Sequence, residues 1–257
     1  MIKSLDMQDI ARHALCPPGQ HHDFREKLDE HGFVVLQPGA PGDLAPDLDA
    51  VMSELGEPVE YGFGTKLALQ PQEGSGNLQF STHAMPLHTD GLFNAGPAVR
   101  YIGMRCAQAP RAGGETLIAS NAAFFAHAPA DLLEVLRGVT VEYRNRISGY
   151  YRDRPEGEHP EIAPVQDDPV TGRTRLVIGL TDPADPIRTH DAAVVGRTAA
   201  ESAELLGRVK AVLHLPSVLY AHTWRPGQVI VQDNLQVVHG RAAFPGQPRK
   251  LVRLSVA

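Results

Sequence analysis

The sequence predicts a mainly β fold with flanking helices, arranged as a β-sandwich or jelly-roll. From about residue 77 onward, short strand-like runs alternate with Gly, Pro and Asn, which is typical of all-β domains. Helical patterns are concentrated towards the N-terminus. The 257 residues suffice for one sizeable core. No boundary is visible within the chain, so residues 1–257 are predicted to form a single domain.

The sequence of the N-terminal third predicts two helices and a strand. Residues 20–31 form a short charged pattern that ends at Gly32, a residue suited to a left-handed helix cap. Residues 33–36 are apolar and predict a buried strand. Residues 43–55 place apolar side chains on one helical face, and Gly56 is predicted to end that helix.

The remaining two thirds predict strands, with two helices between them at about 129–137 and 199–213. The predicted strands are 99–105, 115–119, 139–143, 174–179, 228–232, 235–239 and 250–256. Residues 148–192 are the least regular stretch, and a loop of that length in a compact domain is typical of a lid or insert.

Composition excludes several classes of function. The formal net charge of −6 argues against nucleic acid or an anionic membrane as a partner. Two distant cysteines, Cys16 and Cys106, predict no disulfide framework. The N-terminus lacks the apolar segment of a signal peptide, and no run reaches the roughly 20 apolar residues of a membrane span. We therefore expect a cytoplasmic protein that acts on a small molecule; homo-oligomerisation is left open.

A His-x-Asp pattern at His88 and Asp90 is the first candidate for a metal site. Non-haem iron oxygenases hold iron with two histidines and one carboxylate on one face, which leaves the other positions open. On a strand, residues two apart point the same way, so both side chains could reach one ion.

This pattern also occurs elsewhere in the chain. Roughly one such pair is expected by chance, a risk that every short motif carries. His21 and Asp23 lie in a predicted helix, where positions two apart diverge by about 200°. His159 and Glu161 flank a proline in the irregular region. Context therefore favours the pair at 88 and 90.

His239 is the candidate for the third ligand. It lies in the stretch WRPGQVIVQDNLQVVHGRAAF, in which one strand turns at Asp233-Asn234 and a second strand delivers the histidine at its end. A single histidine is more often a packed or surface residue, so the assignment depends on its combination with other features.

Two arginines near the C-terminus could neutralise a dicarboxylate. In the segment PRKLVRLSV, Arg249 and Arg253 would share one strand face, about 13 Å apart. Arginine gives a carboxylate two charge-assisted hydrogen bonds. At that spacing the two side chains should bind different groups, such as a co-substrate tail and a substrate anion.

In combination, these motifs resemble the TauD/TfdA (taurine dioxygenase-like) family. The resemblance rests on HTDG at 88–91, GGETLIAS at 113–120, the stretch 224–244 and RKLVR at 249–253. The segment 158–179 is also similar to the family, and the match covers about residues 24–257. The resemblance implies a double-stranded β-helix of jelly-roll, cupin-like type.

The resemblance also implies the cofactors and their residues. Fe(II) would be bound by His88, Asp90 and His239, with 2-oxoglutarate and O₂ as co-substrates. Thr116 and Arg249 match the residues that hold the far carboxylate of 2-oxoglutarate. Trp224 and Asn234 belong to the same motif and are interpreted as structural.

The implied activity is oxidation of an unactivated C–H bond, by hydroxylation or desaturation. Asp90 at the carboxylate position argues against halogenation. The expected substrate is an amino acid or a specialised-metabolite intermediate. The substrate-binding candidates are Arg253, Tyr150 and Arg152, with Arg154 beside them, although for any one of the three residues in 150–154 a solvated loop is the favoured interpretation.

Two alternatives from other classes stay open at this stage. One is a non-catalytic jelly-roll protein that binds a metal or metabolite. The other is a zinc hydrolase, since two histidines and an aspartate also suit catalytic zinc. The hydrolase gives no role to Arg249 or to the GGET segment.

Overall fold

The computed structural model describes residues 6–40, 46–61, 64–93, 98–147, 158–168 and 171–257. Within these ranges the helices are α1 (Met7–His13), α2 (Phe24–His31), α3 (Leu48–Ser53), α4 (Asn121–His127), α5 (Ala130–Arg137) and α6 (Ala199–Leu213). The strands are β1 (Leu15–Cys16), β2 (Phe33–Leu36), β3 (Lys66–Leu69), β4 (Met85–His88), β5 (Tyr101–Gln108), β6 (Thr116–Ser120), β7 (Val141–Asn145), β8 (Glu161–Ile162), β9 (Val165–Asp167), β10 (Thr174–Leu176), β11 (His190–Val194), β12 (Leu219–His222), β13 (Val229–Asp233), β14 (Val237–Arg241) and β15 (Lys250–Val256). The prediction of a mainly β fold with flanking helices is confirmed.

Two sheets form the centre of the molecule. One has six strands in the order β1-β2-β13-β5-β15-β3, and the other has four in the order β12-β6-β14-β4. One apolar cluster contains Phe33, Ile102 and Ile230 from the first sheet together with Ile118 and Val237 from the second. The two sheets therefore face each other across a shared core.

The outer face of each sheet is covered as well. Helices α2 and α3 pack on the six-stranded sheet, where Leu28 and Met52 join Val231 in a second cluster. Helices α4, α5 and α6 belong to a third cluster, which contains Val238 on the outer face of the four-stranded sheet. Because both of their faces are covered, β13 and β14 are buried at every position and show no apolar–polar alternation.

Several predicted boundaries differ from the structure. Helix α2 ends at Gly32 with φ 77°, as predicted. The helix predicted at 20–31 starts later than expected, however, because His21–Asp23 form a 3-10 turn before α2. The helix predicted at 43–55 is shorter: α3 starts after Asp47, whose side chain caps the Asp49 amide, and residues 41–45 lie outside the described ranges. Helix α4 was not predicted.

The described part of the region predicted to be the least regular, 148–192, contains several short strands. Strands β8 and β11 flank β7 in a three-stranded sheet, and β9 pairs with β10. Strand β10 overlaps the strand predicted at 174–179, whereas β8, β9 and β11 are only two to five residues long and offer too few positions to reveal a period. Over the part of the chain that is described, no helix is both long and apolar enough to cross a bilayer.

Candidate functional site

The three predicted metal ligands meet between the two sheets. His88 ends β4 and lies directly opposite His239 of β14 in the antiparallel register. One ligand atom from each of His88, Asp90 and His239 lies within 4.8 Å of the others. The Nε2 atom of His88 is 3.4 Å from Oδ1 of Asp90, and Nε2 of His239 is 4.0 Å from Oδ2. Among the described residues, this is the one cluster of its kind.

Gly240 lets the two ligand-bearing strands approach each other. A Cβ atom at this position would lie 2.6 Å from the Met85 carbonyl oxygen and 3.2 Å from the Leu87 nitrogen. The register of β14 against β4 also shifts between His239 and Arg241. A side chain at position 240 would push β4 away from β14 and so separate the imidazole of His88 from that of His239.

The two histidines are oriented differently. Nδ1 of His88 lies 2.9 Å from the Pro86 carbonyl oxygen, which can accept only from a protonated Nδ1. That tautomer leaves the Nε2 lone pair free towards the cluster. His239 is buried, and its Nδ1 has no hydrogen-bond partner among the residues that the structure describes. Burial, followed by the nearby His88, lowers the pKa of His239 to about 3, so its imidazole is neutral at ordinary pH.

Asp90 lies just beyond β4, so the prediction that both ligands share a strand is only half right. Its backbone is held by Asn234, which accepts from the Asp90 amide at 2.9 Å and donates to the Asp90 carbonyl at 3.1 Å. Arg253 donates to Oδ2 at 2.5 Å. Burial alone would raise the pKa of Asp90, but Arg253 and the two histidines lower it well below its usual value. The carboxylate is therefore ionised.

This donor set fits a divalent transition metal. It combines two imidazole nitrogens with one ionised carboxylate, all converging on one point. The other His-x-acid pairs do not match it. His21 and Asp23 lie on a 3-10 turn, where Nε2 of His21 is 3.0 Å from the Gln37 carbonyl oxygen, and Glu161 is an exposed residue at the start of β8.

A cavity of about 470 Å³, here called the inner cavity, opens on one side of this cluster. Its lining residues are Leu69, Gln79, Met85, His88, Ile102, Met104, Thr116, His239, Gly240, Arg241, Arg249 and Arg253. Both residues predicted to bind the far carboxylate of 2-oxoglutarate, Thr116 and Arg249, therefore line the same space as two of the metal-ligand candidates.

The inner cavity carries an excess of positive charge. Arg249 and Arg241 are buried, and none of the ion pairs found in the described ranges involves either of them. Nε of Arg249 donates to the Gly114 carbonyl at 3.0 Å. Burial lowers the pKa of Arg249 to about 10 and that of Arg241 to about 9, so both are still protonated at neutral pH. Two buried cations without a carboxylate favour an anionic ligand.

A second cavity of about 710 Å³, here called the outer cavity, opens on the other side of His88 and Asp90. Its apolar lining consists of Leu78, Met85, Pro86, Leu92, Phe93, Ile147, Leu180 and Ile187. Asp182, Asp185 and Arg188 add charges, and His83 pairs with Asp185 at 3.0 Å. This cavity suits a small molecule with an apolar body and a few polar groups.

The remaining predicted site residues divide into two groups. Arg253 lies in the inner cavity with its guanidinium on Asp90, while its predicted contact with a substrate anion stays a prediction. Tyr150, Arg152 and Arg154 lie outside the described residues.

Some contributing residues were missed or undervalued. Trp224 and Asn234 were interpreted as structural, yet Trp224 donates to the Thr116 hydroxyl at 2.9 Å and Asn234 holds the Asp90 backbone. Arg241 was not singled out. The signal was present, because Arg241 is two residues after His239 and must share its strand face.

A comparison of the chain with known protein families finds one that matches most of its length. The family model described as "Taurine catabolism dioxygenase TauD, TfdA family" matches residues 9–255. The chain belongs to this family. Membership confirms the predicted enzyme class, a 2-oxoglutarate-dependent non-haem iron oxygenase, with Fe(II) and 2-oxoglutarate as its cofactor and co-substrate.

Individual TauD/TfdA relatives are similar over most of their length. A tyrosine isonitrile desaturase of Pseudomonas aeruginosa is 28% identical over 230 residues, which cover 88% of this chain and 77% of that protein. A 3-((Z)-2-isocyanoethenyl)-1H-indole synthase of Fischerella ambigua is 25% identical, over 93% of this chain and 83% of that protein. The crystal structure of PvcB from Pseudomonas aeruginosa superposes with a TM-score of 0.71 at 25% identity, covering 94% of this chain and 84% of PvcB.

Proposed function

We propose that His88, Asp90 and His239 bind Fe(II), and that Thr116 and Arg249 bind the far carboxylate of 2-oxoglutarate in the inner cavity. The observation that carries this proposal is the position of the three ligand atoms, within 4.8 Å of one another where the two cavities meet. The unpaired charge of Arg249 supports the carboxylate assignment, since a buried guanidinium favours a bidentate anion.

The chemistry that Fe(II) supplies when bound is activation of O₂ with 2-oxoglutarate, which yields succinate and CO₂ and oxidises a substrate C–H bond. The protein's part is to bind, orient and exclude water. The Pro86 carbonyl keeps the proton of His88 on Nδ1. Arg253 occupies Oδ2 of Asp90, so Oδ1 is the oxygen offered to the metal. The apolar walls of the outer cavity keep water from the C–H bond.

The substrate we propose is a small amino-acid-derived molecule, bound in the outer cavity and either desaturated or hydroxylated. Two relatives are named for isonitrile chemistry, one of them as a desaturase of a tyrosine derivative. The ring of Phe93 and the apolar residues around it would contact an aromatic or aliphatic side chain. Asp182 at the rim would meet a polar end.

The same proposal includes the fold type, the number of domains and the cellular location of the protein. We infer that the two facing sheets form a double-stranded β-helix of jelly-roll, cupin-like type, because β14 and β4 of one sheet enclose a site with β5 and β15 of the other. Residues 1–257 would form one domain, and of the predicted insert at 148–192 the described residues 180–182 and 187–190 line the outer cavity. A cytoplasmic location fits two free, buried cysteines.

An anaerobic titration tests this function. Protein loaded with Fe(II) is titrated with 2-oxoglutarate while the visible spectrum is recorded, and succinate is then measured after O₂ is admitted. We expect a saturable charge-transfer band that His239→Ala abolishes and that His21→Ala, a histidine outside both cavities, retains. Bound iron without a band, and no succinate, would favour a non-catalytic metal-binding protein or a zinc hydrolase instead.

A further inference from the structure

The inner and outer cavities share a wall, the segment 77–88. Gln79, Met85 and His88 line both cavities. A shift of this segment would therefore change the shape of both spaces together, so whatever fixes its position affects the binding of two different ligands.

Arg241 holds this wall from the side of the inner cavity. Its Nη2 donates to the carbonyl oxygens of Leu78 at 2.8 Å and His83 at 2.7 Å, and Nη1 lies 3.4 Å from the Gln79 carbonyl. The planar guanidinium thus bridges both ends of the stretch 78–83. Lysine could not bridge them in the same way, because its ammonium is a single point of charge on a flexible stem.

Phe244 connects Arg241 with Arg249. The guanidinium carbons of Arg241 and Arg249 lie 5.1 Å and 5.5 Å from the centroid of the same Phe244 ring. The Phe244 amide also donates to the Thr82 carbonyl at 3.0 Å, within the shared wall. Two buried like charges at this range repel each other, and their partners here are neutral carbonyls. An anion on Arg249 would remove that repulsion.

We propose that Arg241 is a positioning residue that transmits occupation of the inner cavity to the wall of the outer cavity. The inference rests on the proposed binding of 2-oxoglutarate at Arg249. With the anion bound, the repulsion between the two guanidinium groups falls, the bonds of Arg241 to the carbonyls of Leu78 and His83 become stronger, and the segment 77–84 becomes more rigid. Binding in the inner cavity thereby favours binding in the outer cavity. By thermodynamic necessity, binding in the outer cavity favours binding in the inner cavity by the same factor.

Hydrogen exchange of the complete protein tests this coupling. Mn(II)-loaded protein, kept anaerobic, is compared with and without saturating 2-oxoglutarate, and binding is measured in parallel by calorimetry. The reporting amides are those of Phe80, Ser81 and His83, all hydrogen-bonded within the wall. We expect their exchange to slow at least about fivefold on binding in the wild type.

The decisive variant is Arg241→Lys, which keeps the charge but not the bridge. At a 2-oxoglutarate concentration that the calorimetry shows to saturate this variant, we expect the protection of 77–84 to be lost. Arg175→Lys is the matched control: Arg175 also has a buried, unpartnered Nε but lines neither cavity, and this variant should retain the protection. Phe244→Leu offers a second variant and should weaken the protection in the same direction.

Three results would overturn the proposal. In the first, 2-oxoglutarate binds to the wild type and exchange at 77–84 does not change, which leaves the proposed function intact. In the second, Arg241→Lys retains the full protection. In the third, 2-oxoglutarate does not bind to the wild type at all, which removes the proposed function together with the coupling.

Discussion

Arg253 and Asp90 form a buried ion pair at the centre of the site, with Nη2 of the arginine 2.5 Å from Oδ2 of the carboxylate. The arginine is itself held by Ser255, whose hydroxyl oxygen accepts from its Nε at 3.2 Å. The pair occupies one carboxylate oxygen and leaves the other 3.4 Å from Nε2 of His88. Arg253, four positions after Arg249, thus holds one of the metal-ligand candidates. Both arginines nevertheless line the inner cavity.

Replacing Arg253 should therefore weaken metal binding. In Arg253→Met the carboxylate of Asp90 can rotate and loses its charge partner, so we expect the affinity for Mn(II) or Fe(II) to fall about 10–100-fold. An anaerobic metal titration followed by calorimetry measures this affinity. Arg188→Met, which changes an arginine of the outer cavity, should bind metal as the wild type does. Equal affinities in the two variants would show that the ion pair does not orient the ligand.

Gly240 should tolerate no side chain. In Gly240→Ala the new Cβ would meet the Met85 carbonyl oxygen at 2.6 Å, so β4 must move and carry His88 with it. We expect a loss of about 1–3 kcal/mol in the free energy of unfolding and weaker metal binding. Urea denaturation and metal titration report the two effects separately.

Gly207 provides the matched control for this substitution. It lies within helix α6, and a Cβ atom there would meet nothing within 4 Å. Because alanine favours a helix over glycine, Gly207→Ala should stabilise the protein by about 0.5–1 kcal/mol. If Gly240→Ala were as harmless as Gly207→Ala, the close approach of β4 and β14 would not be needed for the site.

Removal of Arg249 should weaken the binding of the co-substrate far more than the binding of the metal. Arg249→Ala deletes the cation proposed to pair with the far carboxylate of 2-oxoglutarate, a loss of about 2–5 kcal/mol in binding free energy. Calorimetry with Mn(II)-loaded protein gives the affinity. Arg137→Ala, at the end of helix α5 and remote from both cavities, should leave the affinity unchanged. An unaltered affinity in Arg249→Ala would assign the carboxylate to Arg241 or Arg253.

The sequence could single out the metal-ligand candidates that the structure brings together because their signals are local. A His-x-Asp pattern, a histidine at the end of a strand and an arginine pair can each be read within a few positions. Strand β15 was predicted at 250–256 and helix α6 at 199–213, and the structure has the same bounds, since both have clear patterns and few competing signals.

What the sequence could not predict depends on contacts between distant segments. The bonds of Arg241 reach residues 78 and 83, more than 150 positions away, and no local pattern encodes them. A strand was inferred at His88 only from the His-x-Asp pattern, and the bounds of β4 were not predicted because it has only four residues and a proline at its second position. The position of Asp90 beyond the strand depends on Asn234, which comes from the turn after β13.

His222 should make the protein sensitive to mild acid. It is buried on β12, where its Nδ1 lies 3.1 Å from the Tyr220 hydroxyl and its Nε2 lies 3.1 Å from the Gln228 side-chain oxygen. Burial lowers its pKa from the usual 6.5 to about 4. Below pH 6.5 the unfolded chain therefore takes up a proton that the folded protein does not, and stability falls until about pH 4.

The size of this effect can be isolated with His222→Gln, which cannot titrate and can still form hydrogen bonds. Between pH 7.5 and pH 5 the wild type should lose about 2 kcal/mol more unfolding free energy than the variant does. Urea denaturation at both pH values measures the difference. His214→Gln, at the exposed end of helix α6, serves as the control and should follow the wild type. Parallel losses in wild type and His222→Gln would mean that His222 is protonated in the folded protein, and that its burial does not keep it neutral.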